Sequence, residues 1–152
     1  MAVAAWAVQP RRPGASVSDV RSPRQGPAPA YGSAFSRAVE IDSGGRRRVL
    51  VSGTASIAPD GKTAWIGDPG KQVALTMEVV AAILESRGMT FADVTRATAY
   101  FKAPAYRDIF EAWRKVRALQ AMPVVAVHCD ICRDDLLFEI ELDACVAGVG
   151  EA

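Results

Sequence analysis

The sequence predicts an α/β (α+β) domain, a mixed sheet of five or six short strands with two helices on one of its faces. Three observations lead there. After Asp134-Asp135 the chain alternates strictly: Leu136, Phe138, Ile140, Leu142 and Ala144 fall on one side, and Leu137, Glu139, Glu141 and Asp143 on the other. That is the period-two pattern of a strand with one dry face. Apolar residues recur at helical spacing in two stretches, after Asp68-Pro69 and after Pro104, and the remaining apolar runs are short and bounded by glycine or proline. Two helices can cover only one face of such a sheet. The open face, which carries the carboxylates, then suits an oligomer interface.

Each element has a local cause. Residues 1–33 contain Pro10, Pro13, Pro23, Pro27 and Pro29, which defeat a helix or a central strand. They predict a flexible leader whose removal changes stability little. The domain proper is expected over 34–147, with a tail at 148–152. Phe35–Ile41 and Arg47–Ile57 predict strands joined by a turn at Asp42-Ser43-Gly44-Gly45. Pro59-Asp60-Gly61 marks a further turn, with a short strand at Thr63–Ile66 after it. Asp68 is placed to cap a helix that has Pro69 at its first position. Val73, Met77, Val80 and Leu84 share one face of that helix, and Gly88 ends it. Val94–Lys102 predicts a strand. The helix opened by Pro104 carries Tyr106, Ile109, Phe110, Trp113 and Val116 on one face, and Val124–Cys129 and Leu136–Val146 complete the sheet.

A chain of 152 residues, half of them hydrophobic, suffices for one domain with a real core. The formal charge of +1 gives no reason to expect nucleic acid or an anionic membrane as partner. No apolar run approaches the roughly 20 residues that span a bilayer. MAVAAWAV at the N-terminus lacks the basic residue that precedes a secretory signal core. The arginine-rich stretch after it leaves a transit peptide open; the cytoplasm is the expected compartment. Cys129-x-x-Cys132 has no second cysteine pair, and His128 is the sole histidine. That argues against a zinc site and for small core thiols. Neither a metal nor a cofactor is expected.

The acidic side of the last strand admits two readings. It is a solvated face, or Glu139, flanked by Leu137 and Phe138, is a partly dehydrated acid/base. Dehydration raises a carboxyl's pKa toward neutrality, where it can give and take protons.

FSRAVEI, the VSGTASI run followed by GD and the Gln72 helix, and the closing LLFEIELDA resemble, in this order, the RidA (YjgF-type) superfamily. The resemblance covers roughly residues 31–146. It implies a fold like that of the barrel-type chorismate mutases and a homotrimer with small-molecule pockets between subunits. Within that superfamily Pro23-Arg24-Gln25, Tyr31-Gly32, Phe35-Ser36-Arg37, Ser52 to Ser56, and Asp130-Ile131-Cys132-Arg133 followed by Leu136-Leu137 and Glu139 are similar to the C-terminal domain of chorismatases. Those enzymes hydrolyse the enol-ether side chain of chorismate, and the resemblance assigns the acid/base role to Glu139. Chorismatases carry a further N-terminal domain, for which this length leaves no room; whether a partner supplies it stays open. The imine-deaminating RidA enzymes use an arginine just after the proline that opens the penultimate strand. Here Pro123 is followed by Val124, Val125, Ala126 and Val127, so a carboxylate clamp of that type is missing.

Hydrolysis of an enol ether protonates carbon and then adds water to the cation, and one partly neutral carboxyl can serve both steps. Arg133 is the candidate for a substrate carboxylate, its fork being suited to bidentate binding; alternatively it pairs with Asp134 or Asp135. Backbone N–H groups at Ser52, Gly53 and Thr54 are candidates for an oxyanion, or simply a strand with a bulge. Phe35 offers an aromatic wall, and Tyr100 joins these as a substrate-binding candidate. The expected function is therefore acid/base hydrolysis or elimination on an unsaturated, carboxylate-bearing metabolite. The alternatives are an enamine/imine deaminase with a different anchor and a non-catalytic ligand-binding trimer.

Overall fold

The computed structural model describes residues 8–11 and 13–148; the first seven residues of the expected leader and the last four of the expected tail lie outside them. The described residues form β1 (Ser16–Val20), β2 (Ala38–Ser43), β3 (Arg46–Ala55), α1 (Pro69–Glu85), β4 (Val94–Phe101), α2 (Tyr106–Val116), β5 (Val124–His128) and β6 (Phe138–Ala147). They build a six-stranded sheet in the order β1-β2-β3-β6-β4-β5. All pairings are antiparallel except β4 with β5. That exception follows from the α2 crossover between them, since parallel neighbours need a long connection. This is the mixed α+β architecture the sequence predicts.

The turns and caps follow local chemistry. Gly44 and Gly45 form the two-residue link between β2 and β3 with φ of 62° and 72°, the doubly left-handed turn that matches strand twist. Asp68 accepts the Lys71 N–H at 2.9 Å, capping α1 with Pro69 in its first turn. Gly88, at φ 67°, turns the chain out after it.

The even-numbered side chains of β6 (Phe138, Ile140, Leu142 and Ala144) are fully buried together with Val73, Met77, Val80 and Leu84 of α1. Phe101, Phe110 and Phe138 stack with ring centroids 5.1–5.8 Å apart, joining β4, α2 and β6. Each such ring contributes about 1.5–3 kcal/mol by leaving water. On α2 the expected apolar face holds for Tyr106, Ile109, Phe110 and Trp113 but not for Val116, which is 83% exposed at the helix's last residue. The buried Arg114 of the last turn closes the helix by donating to the carbonyls of Leu119, Gln120 and Met122.

Two expectations need correction. Residues 16–31 are not a loose leader. Ser16–Val20 pairs along the whole of its length with Ala38–Asp42, and Ala28–Tyr31 forms a 3-10 turn. The buried Gln25 donates through Nε2 to the carbonyls of both Ala55 (2.9 Å) and Ile57 (3.0 Å), and Arg37 donates to the Gly26 carbonyl at 3.2 Å. Ser16–Val20 is the proline-free stretch between Pro13 and Pro23, and β1 sits at the sheet edge, where backbone pairing to one neighbour suffices. The strand expected at Thr63–Ile66 is reduced to a single bridge, Ile57 with Thr63.

Candidate active site

Glu139 lies on the sheet face away from the helices, at the start of β6, beside the point where the pairing with β3 is irregular. Val51 faces Leu142 and Thr54 faces Ile140, so Ser52 and Gly53 together stand opposite Glu141. One extra residue on a strand is a bulge, and bulges bend the strand and re-aim its neighbours. The bulge brings the Gly53 backbone against the Glu139 carboxyl. A Cβ on Gly53 would overlap Glu139 Oε1 and lie 3.1 Å from its carboxyl carbon. Gly53 is therefore the residue that leaves room for the acid.

The stretch leading into β6 is fixed by Gln72, a fully buried side chain of α1. Its Nε2 donates to the Asp135 carbonyl and its Oε1 accepts the Leu137 N–H, both at 2.8 Å. Thr63 Oγ1 holds the Asp135 carboxylate at 2.8 Å, and Lys102 Nζ reaches the Asp134 carbonyl at 2.7 Å. Glu139 thus projects from a segment tied down on both sides.

The three carboxylates of the open face are not equivalent. Arg96 donates Nε and Nη2 to Asp143 at 3.3 and 3.2 Å and Nη1 to Glu141 at 3.2 Å, and Arg48 Nη2 lies 3.6 Å from Asp143. Among the described residues no cation pairs with Glu139. Burial, and secondarily the neighbouring Glu141 charge, pushes its pKa above the ordinary carboxylate value. The register explains the difference: Arg96 stands opposite Asp143, whereas Tyr100 stands opposite Glu139. The Tyr100 phenol is itself pushed up, first by burial and then by Glu141.

Glu139 forms part of the wall of two cavities. One, of about 330 Å³, brings it together with Phe35, Ser52, Gly53 and Arg133, and adds Arg37 and Cys132. The other, of about 260 Å³, lies on the side of Tyr100 and Glu141 and also touches Gly53 and Cys132. Six of the seven sequence candidates therefore surround Glu139 or include it; Thr54 does not. Its side chain is buried and its hydroxyl donates to the Ser52 carbonyl at 2.8 Å. The oxyanion reading also loses Ser52, whose N–H donates to the Arg37 carbonyl at 3.1 Å and whose hydroxyl donates to that of Ser36 at 2.7 Å. Arg133 Nη1 donates to the Gly61 carbonyl at 2.8 Å, while Asp134 and Asp135 are held by Lys102 and Thr63.

Two lining residues escaped the sequence reading. Arg37, 5% exposed and stacked over Phe35 at 5.2 Å, was visible only as part of the FSR motif. Cys132 is exposed, and Cys129 and Cys145 are half-buried free thiols, so the expectation of core thiols is corrected. Partial dehydration of its sulfur and the Glu139 charge push the Cys132 thiol pKa up, which works against a thiolate nucleophile. Among the described residues, no group of three or more His, Cys, Asp or Glu side chains is arranged to hold a metal ion. No described helix is long and apolar enough to cross a membrane.

The fold and site define a class of α+β domain: helices cover one face of the sheet, and a half-buried carboxyl sits beside a bulge on the other. The chain belongs to the RidA/YjgF family: residues 26–146 match the family model described as endoribonuclease L-PSP. A chorismatase from Streptomyces rapamycinicus is 31% identical over 132 residues, covering 78% of this chain and 37% of that enzyme. A solved chorismatase superposes with a TM-score of 0.74 at 24% identity, over 86% of this chain and 44% of that one. The chain thus spans less than half the length of the chorismatases it matches. A YjgF/YER057c/UK114 family member from Mycobacterium tuberculosis is matched over its whole length and 86% of this chain, at 26% identity and a TM-score of 0.64.

Proposed function

We propose that this domain hydrolyses an enol ether, or eliminates across one, on an unsaturated carboxylate-bearing metabolite, with Glu139 as the acid/base. The observation that carries this reading is the singling out of Glu139. Of the three carboxylates on one strand it alone, among the described residues, has no cation paired with it and a raised pKa, and it lines a cavity. The similarity to chorismatases supports the substrate class.

In the proposed reaction, neutral Glu139 gives its proton to the terminal carbon of the enol ether, leaving an oxocarbenium ion and a carboxylate. The carboxylate then takes a proton from the water that adds to the cation. The resulting hemiketal breaks its C–O bond to release an alcohol and a 2-oxo acid, and Glu139 ends protonated as it began. Arg133 and Arg37, on the same cavity wall, supply the positive field for the substrate's own carboxylate. The exposed Phe35 ring beside them gives an apolar surface for the rest of the substrate. The assembly proposed is a homotrimer in which a neighbour closes these clefts.

Turnover of chorismate by Glu139→Gln, Glu141→Gln and Asp143→Asn tests this. Glu139→Gln is expected to keep the fold and lose about 100-fold or more, the usual scale for a general acid/base. The other two retain most activity, since Arg96 already neutralises them. Equal small losses in all three would refute the role of Glu139. The imine-deaminase alternative has no arginine on β5 to anchor it, since that strand reads Val124, Val125, Ala126, Val127, His128. Ammonia release from an amino-acid-derived imine that depends on Glu139 would nonetheless place that activity first.

A further inference from the structure

We infer that residues 19–29 form a second chamber of the ligand site, which takes the apolar end of an elongated, carboxylate-bearing ligand lying across Phe35. The inference rests on the proposed reading of the Glu139 cavity as a carboxylate site.

A cavity of about 330 Å³ lies between this segment and residues 35–37, with Pro27, Pro29, Ser36 and Gln25 in its wall. It has Phe35 and Arg37 in common with the equally large Glu139 cavity. Phe35 is 38% exposed, one of the few large apolar side chains left in water, and it stands between the two chambers as a ridge. The combined space exceeds what one six-membered ring with a carboxylate needs. The prolines and the ring make the added chamber mostly apolar, which suits a hydrocarbon group.

The chamber's wall is fixed by the chain's own hydrogen bonds. Gln25 is 6% exposed, and its two amide hydrogens are engaged by Ala55 and Ile57. Its Oε1 is buried with no hydrogen-bond partner among the described residues. Gln25 thus serves as a clamp that fixes one side of the chamber. The ligand class is therefore a carboxylate at one end and an apolar body at the other. The same anchors tie the chamber to catalysis: Ala55 and Ile57 line the Glu139 cavity, and Arg37, in both walls, is held by the Gly26 carbonyl of the segment.

Calorimetry on the full chain with benzoate, biphenyl-4-carboxylate and 4′-hydroxybiphenyl-4-carboxylate tests the inference. The biphenyl acid is expected to bind about tenfold tighter than benzoate, and the hydroxylated one to keep that gain. Ser36→Leu fills the added chamber without touching the Ser36 carbonyl that holds Ser52, so it should erase the gain and leave benzoate binding intact. A crystal soaked with the biphenyl acid gives a readout independent of any variant, with the second ring expected against Pro27 and Pro29. Equal affinity for benzoate and the biphenyl acid, a gain that survives in Ser36→Leu, or a second ring directed into solvent would overturn the inference alone. Failure of all three acids to bind would overturn it together with the carboxylate reading of the Glu139 cavity.

Discussion

Gly53→Ala is the smallest change that tests whether the β3 bulge exists to seat the acid. The new methyl would overlap Glu139 Oε1 and stand 3.1 Å from the carboxyl carbon. Gly53 does not occupy the left-handed region, so alanine meets no backbone strain there. The contact is with the end of a flexible side chain, which swings away. Stability should therefore change by less than about 1 kcal/mol, because loss of the unfolded glycine's freedom offsets part of the crowding. Activity is another matter. A displacement of about 1 Å at a reacting group costs on the order of 100-fold, equivalent to about 2.7 kcal/mol of barrier.

The assay is chorismate turnover beside thermal melting for Gly53→Ala, Glu139→Ala and the double variant. Without a carboxyl at position 139 the methyl displaces nothing, so the double variant should be no slower than Glu139→Ala. Full activity in Gly53→Ala, or losses that multiply in the double variant, would show that Gly53 and Glu139 act independently and would refute the reasoning.

Four further outcomes follow from the same geometry. Glu139 has a folded-state pKa above its unfolded value, so the folded state binds the extra proton and the parent loses stability as pH rises from about 4.3 through the raised value. Glu139→Gln should remove that loss, gaining in melting temperature relative to the parent toward pH 8. Arg96→Met, by leaving Glu141 without its cation, should move the alkaline limb of the parent's rate profile to higher pH. Gln25→Ala should cost about 1–3 kcal/mol in denaturant unfolding, because it leaves two buried carbonyls without their donor. A cost near zero would mean that the N-terminal segment is not anchored there. Light scattering at micromolar concentration should give about three times 16.2 kDa, and a stable monomer would refute the proposed trimer.

The parts of this fold legible in the sequence are those whose side chains report burial. β6 announces itself because every second residue enters the core, and α1 because Val73, Met77, Val80 and Leu84 do so at helical spacing. β1 was illegible for the converse reason. Of its five residues only Val20 is buried, and the strand is held by backbone pairing that any sequence can make. Gln25 and Gln72 were illegible as structural keys, since a glutamine looks the same whether it faces water or clamps carbonyls 30 or more residues away. The candidate set around Glu139 was recovered through motif resemblance. Its failure at Thr54 comes from the bulge, which turns that side chain inward.

What periodicity cannot supply is the ranking of Glu139, Glu141 and Asp143, which share a face, a charge and a strand. That ranking is set by what stands on the flanking strands. Opposite Asp143 are Arg96 on β4 and Leu50 on β3, with Arg48 reaching across; opposite Glu139 are Tyr100 and Ala55, with the bare Gly53 backbone alongside. A cation within hydrogen-bonding reach favours ionisation, whereas an uncharged, partly dry surround favours the proton. The separation is therefore a product of strand register. A one-residue slip of β4 against β6 would carry Arg96 to the other face, leaving Glu141 and Asp143 without their cation. The bulge at Ser52-Gly53, by locking β3 against β6 next to Glu139, keeps the register at the point where the proposed chemistry depends on it.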